Sequence, residues 1–220
     1  MTEATGGSIE RRVLAAFTIG ALAYTAIAPH DRLTWAMEVS WVAIALPILI
    51  ATHARFPLTP LLYRLLFLHA LILILGGYYT YARVPLGLWF ADLLDLTRNH
   101  YDRLGHLAQG FIPAILAREI LVRRSPLAGS RWLPVVVVSM CLAFSAVFEL
   151  LEWWSALILG AGADAFLATQ GDPWDTQSDM ACALIGAIAA LMLLSRMHDR
   201  QLSRPPFCVD EVADAMPERR

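Results

Sequence analysis

The sequence has no lysine, only three cysteines and few charges of either sign. All 17 basic residues are Arg, and charged residues make up 16% of the chain, where a soluble domain carries about a quarter. The net charge of -2 argues against a nucleic-acid surface. Cys141 and Cys182 lie inside apolar blocks and Cys208 lies near the C-terminus. No cysteine spacing sets up a disulfide framework or a Cys-type zinc site. No internal repeat is evident. What fills the chain instead is apolar: 58% of its 220 residues are hydrophobic, and the mean hydropathy is +0.55. The excess is spread from Val13 to Leu194 in bilayer-length blocks parted by short polar breaks. This pattern predicts an all-α integral membrane bundle of about six transmembrane helices.

The expected helices are Arg12 to Ala28, Leu33 to Thr52, Leu61 to Ala82, Tyr101 to Val122, Leu133 to Leu159 and Asp179 to Arg196. Pro29, Pro57, Pro60, Pro126 and Pro173 fall in the breaks, where proline costs least, while Pro47 and Pro113 fall inside spans. The segment Arg83 to His100 carries an apolar, Trp-bearing stretch followed by Asp92, Asp95 and Arg98, which suits an interfacial position. Arg11, Arg12, Arg55, Arg64, Arg123, Arg124, Arg131, Arg196, Arg200 and Arg204 collect on one side, and the break from Gly160 to Ser178 holds no basic residue. By the positive-inside rule the Arg-rich side is cytoplasmic, which places both termini inside. A cleavable signal peptide is the competing reading of the first helix, although its apolar run is long for one. The chain divides into a transmembrane domain, 1–200, and a polar cytoplasmic tail, 201–220, expected to be disordered.

Ionisable side chains inside spans are the informative ones, because each costs several kcal/mol unless paired or solvated. Asp102 and His106 are four apart on the fourth helix and share a face. His106 lies about 6 Å below its outer end. Glu149 and Glu152 share a face of the fifth helix, with Glu149 about 24 Å from Leu133 along the axis. Asp175 is expected to cap the sixth helix and Asp179 follows one turn later. Counting along three helices therefore puts Asp102, His106, Glu149, Glu152, Asp175 and Asp179 at one outer level. Glu38, Arg98 and Arg103 can join them. Gly105 and Gly110 permit close approach of a neighbour. His69 reads as structural, and Glu119 as snorkelling near the inner end.

Three stretches carry a resemblance. They are Arg98 to Phe111, Glu149-Leu150-Leu151-Glu152-Trp153-Trp154, and Gln170 to Met180. Together they resemble the YjdF-like family of bacterial inner-membrane proteins, a domain of unknown function, which implies a multi-pass inner-membrane location. Ser178 stands where that pattern has Trp. A more distant similarity is to VanZ-like membrane proteins, which pair an Asp-Arg/Lys and a His on one helix with an acid on the next and an Asp opening the last.

Three classes of function compete. In the first, the chain is a metal-assisted enzyme acting on a lipid or envelope precursor, with His106, Glu149 and Glu152 as catalytic candidates. Asp102, His106, Glu149, Asp175 and Asp179 are then the candidate ligands of a divalent metal. In the second it is a non-catalytic binding or assembly protein whose polar cluster holds helices together. In the third it is a small-solute or ion-coupled transporter, which the one-sided placement of the polar groups disfavours. The expected partners are membrane lipids.

Overall fold

The computed structural model describes residues 2–160 and 164–207. Among them the chain is all-α, and its helices follow the apolar blocks. Helix α1 spans Thr2–Thr25, α2 Arg32–Thr52, α3 Pro60–Tyr79, α4 Pro85–Leu93 and α5 Tyr101–Arg124. Helix α6 spans Trp132–Leu159, the short α7 Asp164–Leu167 and α8 Asp175–Leu202. A 3-10 turn, Tyr81–Arg83, sits between α3 and α4.

Local chemistry sets the ends. The Asp31 carboxylate accepts from the Thr34 N–H at 2.7 Å and caps α2. Pro60 starts α3 at a position where its missing N–H costs nothing. Helix α3 stops at Tyr79, three residues before the expected end, because Thr80 turns to a φ of 62°. The ring of Tyr81 then folds back over Gly76.

Among the described residues four helices, α2, α3, α6 and α8, are long and apolar enough to cross a membrane. Helix α5 is as long as a span but far more polar, and its position explains why this is tolerated. It packs on α8, α6 and α3, so that Asp102, His106, Gln109, Arg118 and Glu119 are all buried in protein. Polar side chains that face the bundle interior escape the cost of facing lipid. The tightest packing is between α5 and α8, which run parallel. Small residues line this contact: Gly110, Ala114, Ala183, Gly186, Ala187 and Ala190 are all buried. Between membrane helices the drive is close van der Waals contact rather than burial from water, and small residues supply it. Leu62, Ile115 and Val137 complete a fully buried core where α3, α5 and α6 meet.

Helix α4 leaves Leu86, Leu88, Trp89, Phe90 and Leu93 exposed, an apolar surface suited to an interface. At the other end, α8 continues through the first residues of the expected tail. Gln201 Oε1 accepts from the Leu61 N–H at 3.0 Å, and Leu202 is buried. Residues 203–207 follow in turns, and the rest of that tail, 208–220, with Cys208, lies outside the described residues.

Candidate functional site

The site begins with a clamp that fixes the start of α5. Asn99, the one asparagine in the chain, is 2% exposed. Its side-chain amide donates to the carbonyls of Ala82 and Val84, and its Oδ1 accepts from the Tyr101 N–H. Its own backbone N–H and C=O pair with the Gln170 side chain. The first free N–H of α5, that of Tyr101, thus finds a partner, and Asp102 and His106 are buried in the bundle.

There they meet α6 and α8. His106 Nε2 lies 3.7 Å from Asp102 Oδ1, and His106 Nδ1 lies 3.6 Å from Glu149 Oε1. Single ligand atoms of Asp102, His106 and Asp179 fall within 4.8 Å of one another. Glu149 is also beside Glu152 and Thr176. Asp102, His106, Glu149, Glu152 and Asp179 are all buried, so the depth matching read from three helices corresponds to convergence in space. Glu38 of α2 joins from the side, within hydrogen-bond reach of Tyr81.

Among the described residues, several atoms here have no hydrogen-bond partner: His106 Nδ1, Glu149 Oε1, Asp179 Oδ1, Glu38 Oε2 and Gln109 Oε1. Buried polar atoms are normally satisfied, and a group of close carboxylates without countercharge is expensive. The donor set, carboxylate oxygens with one imidazole, suits a divalent cation, and the orphaned atoms fit that group.

Asp175 takes a different place. Its Oδ1 lies 2.7 Å from Arg98 Nη1, and Asp172 Oδ2 lies 3.1 Å from Arg98 and 2.6 Å from Arg103. These four side chains form a charged collar over the cluster, with Asp175 committed to Arg98. Nor is Asp175 the helix cap: Trp174 holds that position and Asp175 is the first helical residue. The N–H of Trp174, with Arg103 and Arg98, holds the Asp172 carboxyl below its ordinary range. The Trp174 side chain itself is exposed.

A cavity of about 850 Å³ runs from this cluster along the bundle between α2, α3, α5 and α6, with α1 from Ser8 to Ile19 along one side. Its polar end is formed by Glu38, Tyr81, Asp102, His106 and Gln109. His69, whose buried Nε2 has no partner, lies on its wall.

A second polar cluster, at the far end of α5, escaped the sequence reading. Glu119 does not snorkel; it is wholly buried. Its carboxylate accepts from the Thr59 N–H and hydroxyl, from Arg123 at 2.8 Å and from His198 Nε2 at 3.0 Å. Arg118 donates to His198 Nδ1 at 3.1 Å and to Asp199 at 2.6 Å. Because Arg can only donate, Nδ1 must accept, and Nε2–H is the donor to Glu119. The one signal available in the sequence was the pairing of Glu119 with Arg123 one turn on.

A family model described as Predicted membrane protein (DUF2238) matches residues 10–200. The chain is also similar to Inner membrane protein YjdF of Escherichia coli (strain K12), 56% identical over 183 residues, covering 83% of this chain and 88% of that protein. No solved structure matches.

Proposed function

The chain belongs to the DUF2238 family of predicted membrane proteins, and we propose that it is a metal-assisted enzyme acting on a lipid or envelope precursor. The observation that carries this reading is the buried trio Asp102, His106 and Asp179, with ligand atoms within 4.8 Å of one another and unpartnered nitrogen and oxygen atoms among them. These three side chains would hold a divalent cation. When bound, it would polarise a phosphoryl or carbonyl oxygen.

The chain's own residues supply the rest. Glu149, 3.6 Å from His106, is placed to take a proton from an attacking hydroxyl or water, and Glu152 stands beside it. The Asn99 clamp holds the start of α5 and so fixes the direction of His106. The collar of Arg98, Arg103, Asp172 and Asp175 restricts water from above. We assign the protein to the inner membrane, the location for which its relative Inner membrane protein YjdF is named. We read α1 and α5 as further crossings beside the four apolar helices, with both termini cytoplasmic and the acid–histidine site near the outer face.

Elemental analysis of detergent-purified protein tests the reading. The expected result is about one divalent ion per chain in the wild type and loss of that ion in His106→Ala and Asp179→Asn. Helical content should be unchanged. Wild-type protein with no metal above the buffer control, or variants that keep the wild-type content, would overturn it.

A further inference from the structure

The cavity beside the site has two unlike ends and a middle that is apolar apart from His69. Glu38 and His53, both on its wall, lie about 22 Å apart along α2 at a rise of about 1.5 Å per residue. One leaflet of hydrocarbon is about 15 Å deep. The cavity therefore has room for a chain longer than one leaflet holds. Trp41, Val42, Leu46, Leu73 and Phe144 give it an apolar wall. The exposure of Ile50 and Met140 along the same wall shows that it is a groove open to the side. Near the polar end Trp41 of α2 packs 5.3 Å from the Phe144 ring and 6.2 Å from the Phe148 ring of α6. Rings that bridge the two helices leave less room for a second chain.

The ends decide how an amphiphile would lie in it. At the Arg11 end His53 Nδ1 pairs with the Tyr63 hydroxyl at 2.8 Å, Arg11 lies over the Tyr63 ring and beside Glu10, and Arg12 is exposed to water; among the described residues no buried atom there lacks a partner. At the other end Glu38, His106 and Gln109 each have a buried atom without a partner, so the head group belongs there. Beyond them, Arg98 Nε and Nη2 and Arg103 Nε are buried donors lacking acceptors, and both guanidinium groups act electrostatically on Asp179. Spare guanidinium donors next to a carboxylate-held cation are a phosphate-binding combination.

We infer that the groove seats the single long chain of a lipid phosphate, with the phosphate at Asp102, His106 and Asp179. The position of the head rests on the metal reading above; the position of the chain rests on the groove.

A polyprenyl phosphate with a photoreactive group in mid-chain is the probe, used on the full-length protein in lipid nanodiscs. Wild type should be labelled on groove-lining peptides. Ala45→Trp, on the groove wall, should reduce labelling at least tenfold, about 1.4 kcal/mol of lost affinity, while keeping its metal content and melting temperature. Ala143→Trp, exposed and outside the groove, should label as wild type does. The unphosphorylated polyprenol and a two-chain phosphatidic acid should compete at least tenfold less well than polyprenyl phosphate. Equal labelling of Ala45→Trp and Ala143→Trp, or equal competition by either analogue, would overturn the inference. Protein that holds metal but shows no groove-dependent label would sink this inference alone. Groove-dependent label on protein that never holds metal would sink the metal reading and, with it, the placement of the phosphate.

Discussion

Gly110 of α5 lies so close to Ala183 of α8 that a Cβ at position 110 would meet the Ala183 carbonyl oxygen. The contact is reciprocal, since a Cβ at Gly186 would meet the Leu107 carbonyl oxygen. Main chain cannot step aside as a flexible side chain can, so overpacking at either site should cost about 1–3 kcal/mol or more. Gly110→Ala and Gly186→Ala should each lower the melting temperature in detergent. Gly20→Ala, with nothing near its added methyl, should leave it unchanged or raise it slightly. Equal melting of Gly110→Ala and Gly20→Ala would contradict the close packing. Gly105 should be more forgiving of alanine, because its neighbour is the Tyr81 side chain rather than main chain.

The Glu119 cluster makes a sharper demand. Glu119→Ala strips the partner from His198, Thr59 and Arg123 at once and should destabilise by about 3–5 kcal/mol. Arg64→Ala breaks an exposed pair with Glu10 and should cost under about 1 kcal/mol. Chemical denaturation in the same detergent compares the two, and a similar small loss in both would show that the buried cluster contributes little.

The apolar blocks made α2, α3, α6 and α8 legible in the sequence, because a span is a property of local composition. The level of Asp102, His106, Glu149 and Asp179 was legible too, since the rise of a helix converts residue number into depth. What pairs with what was harder. Glu119 and His198 are joined only because α5 and α8 run parallel in contact, which composition does not state. Asn99 and Gln170 look like ordinary loop residues until their loops meet. Asp175 shares its depth with the cluster, but it turns to Arg98 instead. The groove is a gap between helices and so belongs to no residue pattern.

Membrane orientation can be read by labelling single cysteines in a background lacking Cys141, Cys182 and Cys208. Gln177, exposed at the start of α8, and Ala128, exposed in the turn between α5 and α6, mark opposite ends of the bundle. An impermeant thiol reagent added outside intact cells should modify Gln177→Cys and spare Ala128→Cys. The opposite pattern would reverse the proposed topology.

The collar should show itself in pH dependence. Asp172 has its carboxyl held below the ordinary range by the Trp174 N–H, Arg103 and Arg98. A depressed folded pKa adds stability that is present above the unfolded value, about 4, and is lost as pH falls through the lower folded value. Wild-type melting temperature should therefore drop on going from about pH 5 to about pH 3. In Asp172→Asn that part of the drop should be missing, and melting near neutral pH should be lower. Parallel curves for the two proteins would show that Asp172 is not linked to folding.

Helices α5 and α8 are tied at both ends, by the collar and acid–histidine cluster at one and by Arg118, Glu119, His198 and Asp199 at the other, with interlocked glycines between. Sliding one along the other by a turn, about 5.4 Å, would break both sets of ties together and drive backbone into backbone. The pair therefore moves as one strut. Any widening of the groove falls to α1, α2 and α3 on its other side, where Trp41 meets Phe144 and Phe148 through ring faces and edges that can part without breaking a hydrogen bond.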